Sequence, residues 1–265
     1  MTKLSIIIPV YNEEAYLSRC LHSIKVDDNS PHCDEVEVIA INDGSADKSG
    51  EILDEYAHLF KVAHHSANWG VAMTRNHGIT MAKGDYITFL DADDAMSPDG
   101  IENILKVIDN NEANVIQFNH YRQQDGQGCR VDARYYCAAK EYRLPELPPK
   151  WAPVWNKIYK KSFIDEHRIR FPMGQQFDED RQFNLQCLHY EKKITAVSTP
   201  SIMKYFDNEG SICHTMTREK LTIALCALVD RLETEDDPQV CEVIKRSIIQ
   251  HLESKNFKQL FGGDK

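Results

Sequence analysis

Gly84-Asp85-Tyr86-Ile87-Thr88-Phe89-Leu90-Asp91-Ala92-Asp93-Asp94 is the stretch on which the fold turns. Tyr86 to Leu90 is a short apolar run, rich in aromatic and β-branched residues, that suits a strand buried on both faces. Three carboxylates follow within four residues. Carboxylates that close repel one another unless a cation sits among them. Hard oxygen donors of this kind suit Mg²⁺ or Mn²⁺, bound through one or two carboxylates plus phosphate oxygens. The plainer alternative is an acidic turn capping a helix that opens at Ser97-Pro98, where proline suits a first turn. The strand-end position favours the metal.

Working outward, the same pattern repeats. Leu4-Ser5-Ile6-Ile7-Ile8-Pro9-Val10 reads as a buried strand, followed by Asn12 as N-cap and a helix to about Lys25 with Glu13 and Glu14 in its first turn. A second strand, Val36 to Ile41, ends at Asn42-Asp43-Gly44-Ser45 and leads into a helix through Ile52, Leu53 and Tyr56. Lys61 to His65 is a weaker strand, residues 70–82 are helical, and Val115 to Asn119 is a fifth strand. This β-α-β-α alternation implies an α/β fold with a mostly parallel central sheet, flanking helices and right-handed crossovers. In such sheets the ligand crevice lies beyond the carboxyl ends of the strands. The distinctive polar residues fall there, after the first, second and fourth strands.

The second half is less regular. Residues 121–150 are polar and turn-rich and read as a hairpin or mobile loop. A helix around 179–190 precedes strands at Ile194 to Val197 and Ile202 to Phe206. From Thr217 the pattern is helical, interrupted by the acidic turn Glu233 to Pro238, and the last helix is amphipathic. It is expected to pack on the rest of the chain or on a second subunit as a homodimer, with interfacial membrane attachment the lesser alternative.

Composition narrows the function. The 265 residues carry 31 Lys and Arg against 41 Asp and Glu, a formal charge of −10. That field repels nucleic-acid phosphates, so a phosphate ligand must be held locally by a metal, an arginine or backbone amides. Eight scattered cysteines without a C-x-x-C pair fit reduced thiols. Neither a signal peptide nor a run of roughly 20 apolar residues is apparent, so a cytoplasmic protein is expected.

Pro9-Val10-Tyr11-Asn12-Glu13, Asn42-Asp43-Gly44-Ser45-Ala46-Asp47, Arg75-Asn76-His77-Gly78 and Gly84 to Asp94 occur in this order. Together they resemble the nucleotide-binding half of inverting family-2 glycosyltransferases of the GT-A fold. Trp155-Asn156-Lys157-Ile158-Tyr159 and Phe177-Asp178-Glu179-Asp180-Arg181-Gln182-Phe183-Asn184 resemble that family's acceptor half, so the likeness covers roughly residues 3–210. It implies a GT-A catalytic domain over 1–215, divided into a nucleotide-binding half (1–120) and an acceptor half (121–215), with a helical extension at 216–265.

The resemblance also assigns roles. Pro9, Tyr11 and Glu13 would line the pocket for base and ribose, and Asp43 would accept a hydrogen bond from the base, most often uracil. Arg75 would answer a phosphate or Asp91. Asp91 would face the ribose and Asp93 the metal, with Asp94 supporting. Asp180 would be the base that takes the acceptor hydroxyl's proton, and Glu179 would orient it or bind acceptor. The residues before Glu179-Asp180, Gly174 to Asp178, depart from the glycine more usual there, which leaves open whether Asp178 or Asp180 faces the acceptor. His214 would complete the metal site or else be a polar surface group. Trp155, Lys157 and Trp151 lie on the acceptor side, where aromatic faces pack on sugar rings, although core packing serves either tryptophan equally. The basic run Lys150, Lys157, Lys160, Lys161, Arg168 and Arg170 would contact a phosphorylated lipid carrier or membrane surface, or form a solvated helix face.

The implied activity is transfer of a sugar, with inversion, from a nucleoside-diphosphate sugar, most often a UDP-sugar, to a saccharide or lipid-linked saccharide, as in surface polysaccharide synthesis. A binding protein without turnover is the alternative. A sugar nucleotidyltransferase is a weaker one, because a glycine-rich basic loop after the first strand is missing.

Overall fold

Strand β1 (Leu4–Val10) is buried along nearly its whole length, and the sheet grows outward from it. The computed structural model of the chain describes residues 1–26, 30–123, 130–131, 139–148, 151–174, 177–199, 202–206, 217–254 and 260. β1 pairs in parallel with β2 (Val36–Asn42) on one side and β4 (Tyr86–Phe89) on the other, and β3 (Lys61–His64) extends β2. Helices α1 (Leu17–Ser23), α2 (Ser49–Glu55) and α3 (Val71–Met81) supply the crossovers. Pro9 is tolerated in a central strand because β4 stops pairing at Ile7↔Phe89. Two residues later, no ladder donor is required on that side.

The sheet continues past β4 in a way that the alternation does not announce. After the two-residue strand β5 (Ala95–Met96), helix α4 (Gly100–Asp109) and strand β6 (Val115–Gln117), the chain runs through β7 (His120–Gln123), β8 (Arg130–Val131) and β9 (Lys140–Arg143). It then inserts β10 (Lys157–Lys160) antiparallel between β4 and β6. Helices α5 (Lys161–Glu166) and α6 (Glu179–Glu191) and strands β11 (Lys193–Ala196) and β12 (Met203–Phe206) complete this half. The eight-stranded order is β3-β2-β1-β4-β10-β6-β11-β9, and a second sheet of four runs β5-β12-β7-β8. The hairpin expected within 121–150 is present as the antiparallel pair β7–β8. The small sheet begins at β5, so the turn from Asp91 to Asp94 joins the two sheets.

Alternate side chains of β1 feed two apolar layers, as the period of two requires. Leu4, Ile6, Ile8 and Val10 face α1, α2 and α4, whereas Ile7 joins Ile39, Ile41, Ile87 and Phe89 under α3, α5 and α6. The last helices, α7 (Arg218–Thr234) and α8 (Pro238–Glu253), belong to this second layer through Leu228, Val240, Val243 and Ile244. Burying each such side chain is worth roughly 1.5–3 kcal/mol. α8 therefore packs on the body of its own chain, as expected. The acidic turn before it serves as a tie: Asp237 caps α8 through the N–H groups of Gln239 and Val240 at 2.9 and 3.0 Å, and also binds Lys192 at 2.6 Å.

One local expectation fails. Asn12 does not cap α1, which starts at Leu17 after Tyr16. Asn12 instead adopts a positive φ of 55° and accepts a hydrogen bond from Ala46 N at 2.8 Å, while its own N–H reaches Ser45 Oγ at 3.0 Å. Glu13 N binds Ser49 Oγ at 2.8 Å and Glu14 N binds Asp47 at 3.0 Å. The capping chemistry is spent on joining the loops after β1 and β2. Among the described residues no helix is long and apolar enough to cross a membrane, and the cysteines there, Cys20, Cys33, Cys187, Cys226 and Cys241, are free thiols.

α3 approaches β1 closely at Gly78, where an added Cβ would sit 2.3 Å from Ile7 Cγ2. Gly78→Ala gains about 1 kcal/mol of helix propensity but must displace a stiff β-branched neighbour, costing about 1–3 kcal/mol. The variant is expected to be less stable than wild type in urea denaturation. Equal or greater stability would contradict the close approach.

Candidate active site

Four loops meet at the carboxyl ends of β1 to β4. β10 runs antiparallel to them, so its N-terminal end lies at the same edge and brings the turn Pro153 to Asn156 to the site. The first turn of α6 closes the other side.

Arg75 links these parts. It lies on the face of α3 toward the sheet, with its side chain only 5% exposed. Its guanidinium donates to Asp91 at 2.9 Å, Glu179 at 3.0 Å and Asp180 at 2.7 Å. It also packs against the rings of Phe171 and Phe89, 5.3 and 6.0 Å from the centroids. Next to it, Asn76 exchanges two hydrogen bonds of 2.9 Å with the backbone of Phe171, which holds that ring in place. The surrounding acids raise the Arg75 pKa further, against the opposing effect of burial, so it is a permanent cation. Of the two alternatives open for Arg75 in the sequence, a phosphate or Asp91, the structure shows the second.

Asp180 is fixed at both oxygens, one to Arg75 and the other accepting Val154 N–H at 3.1 Å. Asn184, one turn along α6, anchors this geometry by donating to Ala152 O at 2.7 Å and accepting from Tyr159 Oη at 2.9 Å. Loss of solvent, reinforced by the charges of Glu179 and Asp91, pushes the Asp180 carboxyl up to about 7 despite the pull of Arg75. Asp178 points elsewhere. It has a positive φ of 65°, and both its oxygens accept from Arg181 Nε, at 2.9 and 3.0 Å. Of the three consecutive acids, Glu179 and Asp180 face Asp91.

The acid turn is closed by Asp94 N donating to Asp91 O at 3.0 Å, and Arg19 reaches the backbone oxygen of Asp93. Across the cleft Glu13 is pushed up to about 7, first by burial and then by the negative charges of Asp93, Asp91 and Asp47. Arg19 opposes this rise only in part. Hard oxygens with excess negative charge are a donor set that fits a divalent cation shared with phosphate oxygens. Among the described residues the one group with three ligand atoms within 4.8 Å is elsewhere, at His189, Glu235 and Asp236. There Glu235 is already engaged by His189 and Arg231, each at 2.6 Å.

Asp43, at the end of β2, is 3% exposed. It accepts from Trp69 N and Gly70 N, each at 2.9 Å, and from His65 Nδ1 at 2.8 Å, and His65 Nε2 is 2.9 Å from His77 Nδ1. Its carboxylate thus organises the loop after β3. Pro9 is part-buried, Glu13 likewise, and Tyr11 is 45% exposed at the end of β1. Trp155 is part-buried beside the Val154 contact to Asp180, its ring edge-on to His120 at 4.5 Å.

Lys157 is displaced from its expected role. Its side chain is fully buried, and its ammonium donates to Pro153 O and to Asn156 Oδ1 at 2.8 Å. It supports the turn under Trp155 and offers no charged tip to an acceptor. Trp151 packs beneath Arg181, 5.6 Å from its ring centre, and against the core. The basic run is divided: Lys161 and Arg170 both pair with Asp165. His214 and Lys150 lie outside the described residues. His65, Trp69, Phe171 and Val154 also take part in the site without having stood out in the sequence. Only His65 carried a usable signal, since it follows a strand at the same position as Asp43.

Residues 5–174 match the family described as Glycosyl transferase family 2. EpsH of Bacillus subtilis (strain 168), named as a glycosyltransferase, is 33% identical over 208 residues, which is 74% of this chain and 59% of EpsH. The chain therefore spans about three fifths of that relative. TarS of Staphylococcus aureus, a poly(ribitol-phosphate) beta-N-acetylglucosaminyltransferase, is 25% identical over 213 residues, 79% of this chain and 36% of TarS. The solved structure of TarS residues 1–349 with UDP-GlcNAc superposes with a TM-score of 0.76 at 21% identity, covering 95% of this chain and 72% of that one. The mannosyltransferase PcManGT of Pyrobaculum calidifontis, solved with GDP-Man and Mn²⁺, gives a TM-score of 0.62 at 14% identity over 95% of this chain and 70% of its own. The two structural matches establish a shared GT-A fold. With a family match across more than half its length, this chain belongs to glycosyl transferase family 2.

Proposed function

We propose that the chain transfers a sugar from a nucleoside-diphosphate sugar to a hydroxyl group, with inversion, and that Asp180 is the base. The observation that carries this reading is the meeting of Asp91 with Glu179 and Asp180 on one guanidinium at the carboxyl edge of the sheet. On this reading Asp91 faces the donor and Asp180 the acceptor.

On this reading Pro9, Tyr11 and Glu13 border the base and ribose, Asp43 shapes the floor of that pocket, and Asp91 turns its unpaired edge to the ribose. Asp93 is the residue that would hold Mn²⁺ or Mg²⁺, and the ion, when bound, neutralises charge on the departing diphosphate. Asp180 accepts the proton of the acceptor hydroxyl as its oxygen bonds to the anomeric carbon. The bond from that carbon to the diphosphate oxygen breaks, and its electron pair leaves with the diphosphate. Attack from the face opposite the leaving group inverts the configuration. Glu179, held by the same arginine, orients the acceptor, and Trp155 offers a ring face to it. UDP as the nucleotide and a surface polymer as the acceptor are supported by TarS, its name and its bound UDP-GlcNAc. Soluble function at the inner face of the membrane fits such an acceptor on a lipid carrier.

Asp180→Asn is expected to retain donor binding and lose roughly 10²–10⁴ of the transfer rate. Only the ionised carboxylate accepts a proton, so wild-type kcat/KM should rise with pH up to about 7 and level above it. Transfer by the variant at the native rate, or a wild-type profile flat from pH 5 to 8, would place the base elsewhere. Asp93→Asn, or EDTA added to wild type, should abolish turnover, with Mn²⁺ restoring only the wild type. Full activity in EDTA would remove the metal from the reaction.

A further inference from the structure

We propose that Trp69 is the stacking surface for the planar base of the donor, a role outside the motifs that carry the family likeness. This rests on the donor-site reading above. Trp69 is 52% exposed although it lies beside a cleft, an unusual setting for so large an apolar side chain. One face of the indole is covered: the His65 ring lies 3.9 Å away at an interplanar angle of 18°. Even so, more than half of the residue stays exposed, on the loop next to Asp43 at the carboxyl edge.

The indole is held firmly. Its backbone N–H is bound by Asp43, and so is that of Gly70. The preceding residue, Asn68, accepts from Gly70 N at 2.8 Å. Ala67 presses so closely on Gly44, whose φ is +69°, that a Cβ there would meet the Ala67 carbonyl carbon at 2.5 Å. His65 is itself fixed in plane. A carboxylate only accepts, so His65 Nδ1–H donates to Asp43, and His65 Nε2 lies within hydrogen-bond distance of His77 Nδ1. The chain Asp43–His65–His77 thus sets the tilt of the ring under Trp69. A rigid aromatic face loses little entropy on receiving a flat ligand. Tyr11, 45% exposed on the other side of the Asp43 turn, is the second aromatic group there. Pyrimidine or purine rings have the shape and π-face for that surface.

The test is calorimetric titration of the whole chain with UDP and, separately, with inorganic pyrophosphate, both in Mn²⁺. Trp69→Ala should weaken UDP binding about 5- to 100-fold and leave pyrophosphate affinity within about twofold. Trp69→Phe should recover most of the affinity but lose the quenching of tryptophan emission that UDP causes in wild type. UDP bound equally well by wild type and Trp69→Ala overturns the assignment. Equal loss of UDP and pyrophosphate also overturns it, because that marks a structural role. If wild type binds pyrophosphate but gains nothing from the base of UDP, the assignment fails while the diphosphate site survives. If wild type binds neither, the donor-site reading fails and the assignment with it.

Discussion

A guanidinium almost without solvent needs acceptors, and the two terminal nitrogens of Arg75 take theirs from both halves of the chain. Asp91 reaches it from the end of β4, and Glu179 and Asp180 from the start of α6. Removing one partner from a buried ion pair costs about 3–5 kcal/mol, because the remaining charge is left uncompensated. The carboxylates are therefore held to the arginine, and the width of the cleft follows from the span of one side chain. The planar fork of arginine suits this task, since it can point separate N–H groups at different acids while its faces rest on Phe89 and Phe171. Lysine offers a single point charge and could not do both.

The same arrangement explains the electrostatic character of the site. Three acids meet on one arginine, and Asp93 and Glu13 lie in the same cleft. Burial first, and then the charges of neighbouring acids, make Glu13 and Asp180 hold their protons to higher pH than carboxyls in water. Under the proposed function, a cation and a diphosphate bound together would offset that charge.

Much of this was legible from the residues. The buried runs at Leu4 to Val10 and Tyr86 to Leu90 have neighbours on both faces and so lack polar alternation, which gave their place in the centre of the sheet. The acids at their ends could be read because a strand in a parallel sheet delivers its last residue to the crevice. β10 was not legible: four residues including a buried lysine carry no periodic signal, and Lys157 takes its place through hydrogen bonds to Pro153 and Asn156 that no pattern announces. Asn12 has the residue type and neighbours of an N-cap, yet the loop after β2 competes for it and wins. The ties among Arg75, Glu179 and Asp180 join segments more than a hundred residues apart, and neither spacing nor the resemblance announced them. Trp69 gave no signal because its importance depends on what His65 and Asp43 do in space.

Arg75 joins the two halves of the cleft, and a double-mutant cycle on stability tests this most directly. Arg75→Met, Asp180→Asn and the combined variant would be unfolded in urea alongside wild type. The account predicts a coupling of about 1–3 kcal/mol between the two positions, as for partners in one buried network. Effects that add to within about 0.5 kcal/mol would show that the two side chains act independently, and the proposed lock between donor and acceptor sides would be contradicted.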